Sequence, residues 1–310
     1  MPTTTPSLEG FMDHQHRKNG YARQCAQALN ALHSIPYFTS DLADELAPFG
    51  IDDHSTVYLA GRASPLGIVD PAVVTAAFNS FAPRLVAERI PALWDLVPPE
   101  RALRAREDAS AAALERLLGT ETVHSPQLAE AAKLATVAAG ACALPGRPLY
   151  AANSVLPQPE RPHAALWHAA TMLREHRGDG HVAVLGHYRL TGVDSLVIDC
   201  ASTHGMAKEI VMPMRGWTEE EWVAGRERLA GRGLVDAAGL LTARGAKLRD
   251  EVEAETTWLD RRPYDALGAE HVEQLALYVR DLVETAADAG VFPPPLRDFF
   301  APPADVWNAL

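Results

Sequence analysis

Helical periodicity interrupted by proline is the feature that most constrains the fold of this chain. Asp70 directly precedes Pro71, an order that caps and opens a helix. Apolar residues follow at helical spacing along one face, namely Val74, Phe78, Phe81 and Leu85. Pro83 breaks or kinks that run. The pattern predicts a helical N-terminal domain over residues 21–145 and a mainly α fold.

Composition excludes several broad classes of protein. The chain has 310 residues, of which 47% are hydrophobic and 22% charged, as expected for a globular protein with a core. No apolar run is long enough to span a membrane, and residues 1–20 are polar, without an apolar leader segment. We therefore expect a flexible tail over 1–20, a cytoplasmic location and no membrane partner.

The charge is strongly acidic. Forty acidic and 28 basic side chains give a formal charge of −12. Such a chain has no general attraction to nucleic-acid phosphates. DNA is therefore not expected as a partner, whereas a small-molecule ligand or substrate is; a homodimer is left open.

Prolines and glycines between residues 145 and 162 predict a domain boundary. A middle domain of helix-turn-helix type is predicted over 146–215, with Gly178, Asp179 and Gly180 forming a tight turn and Asp179 capping the next helix. Thr218 and Glu221 have the spacing of a capping box, which opens a further domain over 216–290. Residues 291–310 contain five prolines and predict an irregular arm.

The order of elements in the C-terminal half resembles a winged helix of the MarR type. A helix is followed by L-x-x-R-G-L-V-D-x-x-G-L-L-T-x-x-G and a long helix, which implies a small two-stranded β-wing over 233–242. A winged helix that reads DNA needs basic side chains on its recognition helix and wing. Here six acidic and six basic side chains cancel within 217–250, and the wing has neither Lys nor Arg. The alternative is a winged helix used only for packing or dimerisation.

Three stretches together resemble a family of actinobacterial helix-turn-helix proteins: Y58-L-A-G-R62-A-S-P-L-G67, L173-R-E-H-R-G-D-G-H181 and R215-G-W217. The resemblance covers about residues 30–290. It implies a helical domain fused to winged-helix elements and, for some members, a setting in antibiotic biosynthesis. This chain departs from the usual motif at Ser64 and has additional histidines at positions 168 and 187.

The densest group of titratable side chains lies between Arg174 and His181. A carboxylate beside a histidine suits general acid–base chemistry, so the candidate catalytic residues are Glu175, His176, Asp179 and His181. Each also has an ordinary interpretation, as a helix cap, a surface pair or a buried histidine. Arg174 is a candidate binding residue or an ion-pair partner.

Arg62 lies among apolar neighbours and therefore needs an anionic partner, either a protein carboxylate or a ligand anion. Aromatic and imidazole side chains are predicted to line the same cleft or to be plain core, namely His33, Tyr37, Phe38, Tyr58 and His168. We expect Arg62 and the 175–181 group to face this cleft.

The chain lacks the patterns of several other kinds of site. His176, His181 and His187 do not have metal-ligand spacing on a helix, and H-E-x-x-H is absent. No nucleophile elbow or glycine-rich phosphate loop occurs, and the three cysteines form no C-x-x-C pair. We expect no metal, no cofactor and no disulfide.

The sequence thus favours a cofactor-independent biosynthetic enzyme that acts on a small organic intermediate by acid–base chemistry. The reaction would be ring closure, displacement of a leaving group or elimination, of lyase or cyclase type. Two alternatives are a ligand-responsive transcription regulator and a protein that sequesters a toxic metabolite.

Overall fold

The structure is a computed structural model that describes the backbone of residues 8–202 and 205–309, and side chains from residue 20 to 307 within those ranges. The described part is mainly helical and contains no β-strand. Of the predicted tail, residues 1–7 lie outside the described residues and the backbone from residue 8 onward belongs to the first helix.

The N-terminal half is a succession of helices, most of which begin at proline, and the predicted helix start at Pro71 is confirmed. Their bounds are α1 Leu8–Ser34, α2 Asp41–Leu46, α3 His54–Ala63, α4 Pro71–Phe78, α5 Pro83–Leu96, α6 Pro99–Leu118, α7 Thr120–Val123, α8 Pro126–Gly140 and α9 Pro148–Ser154. Asp70 caps α4, since its carboxylate accepts a hydrogen bond from the Ala72 amide at 2.8 Å. Pro83 opens α5 rather than kinking a continuous helix.

The C-terminal half is organised by one long helix, α10. The bounds are α10 Pro162–His187, α11 Gly192–Cys200, α12 Lys208–Met214, α13 Glu219–Gly231, α14 Ala243–Asp260, α15 Arg262–Leu267, α16 Ala269–Asp288, α17 Pro294–Phe300 and α18 Ala304–Ala309. Thr218 and Glu221 form the predicted capping box of α13. The tight turn predicted at 178–180 is wrong, because α10 runs through it without a break.

Three apolar cores hold the helices together. The first joins α1, α8, the N-terminal part of α10 and α16; the second joins α2 to α6; the third joins the end of α10 to α11, α13 and α14. Helix α10 contributes Leu166 and Leu173 to the first core and Val184 and Leu185 to the third. Its polar stretch over 174–181 therefore lies between two cores.

Two terminal features differ from the sequence prediction. The segment 233–242 contains one isolated antiparallel bridge, between Val235 and Leu241, so the described residues contain no two-stranded wing. The predicted irregular arm over 291–310 includes α17 and α18, and Phe300 and Trp307 are buried in the first core. Large aromatic side chains supply enough apolar area to hold this proline-rich segment against the protein.

Candidate functional site

A cavity of about 780 Å³ opens where the three cores meet. Its walls come mainly from α1, α10, α11, α14 and the connection between α4 and α5, with further residues from α3, α4, α15 and α16. Six arginines and four carboxylates line it, namely Arg23, Arg62, Arg174, Arg177, Arg249 and Arg261 with Asp199, Glu253, Asp260 and Asp265. An acidic protein thus concentrates an excess of arginine in this cavity, which favours an anionic occupant.

Glu175 is clamped by two arginines at one end of the cavity. Arg62 donates from Nε to Oε1 at 2.8 Å and from Nη2 to Oε2 at 2.9 Å, and Arg174 donates from Nη1 to Oε2 at 2.7 Å. Burial raises the pKa of Glu175, but the charges of Arg174 and Arg62 outweigh it and hold the pKa well below its usual range. The partner of Arg62 is therefore a protein carboxylate, and this carboxylate is a weak base.

The group formed by Arg62, Arg174 and Glu175 carries a net positive charge. Two guanidinium groups share one carboxylate, and within the described chain Nη1 of Arg62 makes no hydrogen bond. Both arginines line the cavity, whereas Glu175 is 1% exposed and does not. An anion in the cavity would find donors here without displacing the carboxylate.

His181 is the one candidate catalytic residue that lines the cavity. Its Nδ1 lies 3.1 Å from the hydroxyl of Thr256, and that hydroxyl donates to the Val252 carbonyl at 2.7 Å. Because the hydroxyl proton is committed to the carbonyl, Nδ1 is the donor and Nε2 carries the lone pair. Burial, aided by Arg177 and Arg174 and opposed by Glu253, lowers the pKa of His181 to about 4. The imidazole is therefore neutral at physiological pH.

A second histidine, His176, pairs with the carboxylate of Asp260 beside the cavity. Nδ1 of His176 lies 2.8 Å from Oδ1 of Asp260, and both side chains are buried, at 1% and 2% exposure. Asp260 lines the cavity, but His176 does not. Arg177 approaches Oδ2 of Asp260 at 3.8 Å and is held by Glu253 at 2.5 Å.

Asp179 has a structural contact instead of the predicted cap of a following helix. Its Oδ2 accepts from the Tyr150 amide at 3.0 Å, so it caps α9, which lies next to α10. Gly180 leaves room for Arg147, which donates to the carbonyls of His176 at 2.5 Å and Leu259 at 3.2 Å. Glycine here permits a close approach within a helix rather than a turn.

The aromatic and imidazole side chains that were predicted to line one cleft lie in different parts of the structure. Tyr37 and Tyr58 line a second cavity of about 220 Å³, and Phe38 packs on the first core. His33 is buried, with Nδ1 2.9 Å from the Thr171 hydroxyl, and does not line the main cavity. Burial raises the pKa of Tyr58, but Arg62, Arg215 and Arg174 outweigh it and lower the pKa to about 8.

His168 is also buried outside the main cavity. Burial, aided by the charge of Arg106, lowers the pKa of His168 to about 4. The three cysteines are free, and within the described part of the chain no group of three His, Cys, Asp or Glu side chains could hold a metal ion.

Comparison with known proteins gives one match. The model of the helix-turn-helix family matches residues 22–293. The chain belongs to the helix-turn-helix family. No curated protein and no solved structure matches it. The matched range includes every residue that lines the main cavity of this helix-turn-helix protein.

Within residues 216–260 several basic side chains are held by other groups of the described chain. Arg228 on α13 pairs with Asp194 at 2.8 Å, and Arg249 on α14 pairs with Asp199 at 3.4 Å. Arg232 donates to the carbonyls of Tyr188 and Arg189. The two ion pairs reduce, without removing, the positive charge available for phosphate contacts. No helix in the described residues is long and apolar enough to cross a membrane.

Sequence reasoning missed the contribution of α14. Its buried residues recur every four positions as Leu248, Val252, Thr256 and Asp260, so that the stripe begins apolar and ends polar. Two polar residues that continue an apolar helical stripe are the signal that could have identified Thr256 and Asp260. Arg147 gave no comparable signal, since it lies in the proline-rich connection after α8.

Proposed function

We propose that this helix-turn-helix protein is a cofactor-independent enzyme that performs acid–base chemistry on a small anionic organic molecule. The observation that supports this most is the convergence of a neutral histidine and an excess of arginine in one cavity. A setting in secondary metabolism, including antibiotic biosynthesis, belongs to the same proposal.

The arginines would hold the anionic group of the substrate. Arg62 and Arg174 are fixed by Glu175, so little side-chain entropy is lost when they bind an anion. Glu175 is then the residue that positions the anion site, not the base. This role fits its low pKa and its position behind the cavity wall.

His181 would be the proton acceptor. Thr256 fixes its tautomer, so the lone pair on Nε2 is available to a substrate proton. Arg177 and Arg174 contribute to lowering the pKa of His181. An anion bound to these arginines offsets their charge and raises the basicity of His181, so the base strengthens when the substrate is in place.

Ring closure, displacement of a leaving group and elimination all fit this arrangement. Each begins with loss of a proton from a substrate atom, which His181 accepts, and each produces or releases an anion that arginines stabilise. The proposal therefore keeps all three reactions and excludes Glu175, His176 and Asp179 as groups that touch the substrate.

Untargeted metabolite profiling tests the proposal. Wild-type protein and the H181N variant are incubated with a small-molecule extract of the producing cells, and consumed and formed masses are compared. The H187N variant is the matched control, because His187 lies on the same helix but is exposed and outside the cavity. We expect turnover by wild type and H187N and its loss in H181N. Equal turnover in all three, or none in any, would overturn the proposal.

A second candidate is a ligand-responsive regulator, which family membership and the third core favour. In this interpretation residues 216–290 form a MarR-like winged helix with a reduced wing. The test is binding to DNA from the neighbourhood of its own gene over a salt series. Sequence-selective binding at physiological salt supports a regulator. Binding of a metabolite without turnover and without DNA binding supports the third alternative, a sequestering protein.

A further inference from the structure

We propose that Asn79 is a binding residue of the cavity and recognises a hydroxyl or amide group next to the anionic group of the ligand. The inference rests on the proposed function, in which Arg62 and Arg174 hold that anionic group. It narrows the class of substrate to anions that carry a neutral hydrogen-bonding substituent close to the charge.

The backbone at Asn79 has a conformation that residues other than glycine rarely adopt. Asn79 ends α4 with φ 48° and ψ −55°, and across it the Ser80 amide donates to the Phe78 carbonyl at 2.5 Å. These values describe the strained form of the γ-turn. The negative ψ distinguishes it from the left-handed conformation in which asparagine often ends a helix. Strain of this kind clusters at ligand-binding sites, where the surrounding structure maintains it.

Contacts from distant parts of the chain hold this turn in place. A Cβ atom at Gly192, the first residue of α11, would lie 1.9 Å from the Asn79 carbonyl oxygen, so only glycine allows this approach. Nε1 of Trp217 donates to the Ser80 carbonyl at 2.8 Å. The carbonyl of Arg215 accepts from the backbone amide of the residue before α5, also at 2.8 Å. The R-G-W motif of the sequence therefore fixes the connection on which Asn79 lies.

The side-chain amide of Asn79 is free to bind a ligand. Asn79 lines the cavity together with its neighbours Phe78 and Ser80. In the part of the chain that the structure describes, this amide makes no hydrogen bond, and neither of its polar atoms is sealed off by burial. An amide offers a donor and an acceptor side by side, which suits a hydroxyl or another amide better than a carboxylate, which only accepts.

The anion site lies on the same wall of the cavity. The guanidinium carbon of Arg62 is 4.2 Å from the ring centre of Phe78, the residue next to Asn79. Consecutive Cα atoms are about 3.8 Å apart, and all three residues line the cavity. A ligand whose charged group is held by Arg62 can therefore present a neighbouring substituent to the Asn79 amide.

Binding of lactate and of propanoate to the full-length protein, measured by ligand-detected nuclear magnetic resonance, tests the assignment. The two anions have the same charge and differ by one hydroxyl group beside the carboxylate. Wild type should bind lactate about tenfold more tightly than propanoate, the effect of one hydrogen bond. N79A and N79G should bind both anions equally, with an unchanged affinity for propanoate.

Thermal unfolding separates the strain at Asn79 from its amide. N79G removes both and should raise the Tm, whereas N79A removes only the amide and should not raise it. R189G is the matched control, because Arg189 is the other residue of the described chain besides glycine with a positive φ, at 55°, but is exposed and outside the cavity. R189G should keep the tenfold preference for lactate.

Equal binding of both anions by wild type would overturn this assignment while leaving the arginine site and the proposed function in place. The same holds for a preference for lactate that survives in N79A or N79G. A lower Tm in N79G would also overturn it, because the amide would then serve the fold. If neither anion binds wild type, the anion site fails together with the role of Asn79. Metabolite turnover in the H181N comparison tests the proposed function separately.

Discussion

Replacing Gly180 with alanine separates a glycine required for packing from one that is merely tolerated in a helix. A Cβ atom at Gly180 would lie 1.9 Å from Nη1 of Arg147 and 2.8 Å from its Cζ. The guanidinium must therefore move, and its bonds to the carbonyls of His176 and Leu259 break.

The two opposing effects can be compared. Alanine in place of glycine favours a helix by about 1 kcal/mol. Each hydrogen bond from a charged donor contributes about 1.5–3 kcal/mol, and Arg147 would lose two of them. G180A should therefore destabilise the protein by about 2–5 kcal/mol.

Gly186 is the matched control on the same helix. A Cβ atom there meets nothing within 4 Å, so G186A should stabilise the protein, by about 0.5–1 kcal/mol. Urea unfolding followed by far-UV circular dichroism gives both values. In an R147M background the cost of G180A should fall, because the charged group that needs the space has gone. If G180A is as stable as G186A, the guanidinium does not depend on Gly180 and the interpretation of this motif is wrong.

Three further predictions follow from the site. E175Q should destabilise the protein by about 3–5 kcal/mol in thermal unfolding because it leaves the buried Arg62 and the half-buried Arg174 without a carboxylate. E253Q, whose side chain is 44% exposed, should cost at most about 1 kcal/mol; equal shifts would contradict the clamp. Burial raises the pKa of Asp179 to about 7 in the folded state, so between about pH 4 and 7 only the folded state binds this proton. The free energy of unfolding should therefore fall by about 1.4 kcal/mol for each pH unit by which the pH rises through that range. D179N should lack this slope in unfolding experiments at several pH values, and an unchanged slope would remove Asp179 as its source. R174Q should weaken calorimetric binding of inorganic phosphate by about tenfold, the loss of one charge-assisted hydrogen bond, while R104Q, on the exposed surface of α6, should bind as wild type does.

Local signals in the sequence predicted local structure well. Asp70 and Thr218 cap helices as expected, because a cap depends on residues two or three positions away. The prediction of a turn at 178–180 was wrong because contacts distant in the sequence decide the structure there. Two glycines favour a turn locally, but the helix continues because its sides are packed against α9 and α14 and Arg147 fills the space beside Gly180.

The sequence identified several residues of the candidate site, but not which of them contact one another or line the cavity. Arg62 needed an anion, and the structure supplies Glu175, which is 113 residues away in the sequence. No spacing rule reaches that far, so the sequence left both a protein carboxylate and a ligand anion open as the partner of Arg62. Thr256 and Asp260 were missed because a threonine and an aspartate near a helix end are ordinary surface residues until tertiary packing buries them.

The charge distribution gives a reason why a helix-turn-helix scaffold would suit small anions rather than DNA. A net charge of −12 disfavours the approach of a polyanion, and Arg228 of α13 and Arg249 of α14 are paired with carboxylates of α11. The local charge at this end of the cavity is positive, since Arg62 and Arg174 share one buried carboxylate. Salt screens surface repulsion within about 10 Å at 0.1 M but screens partly buried charges much less. Under the proposed function a small anion would therefore be held in the cavity at physiological salt, whereas a duplex would meet the acidic surface first.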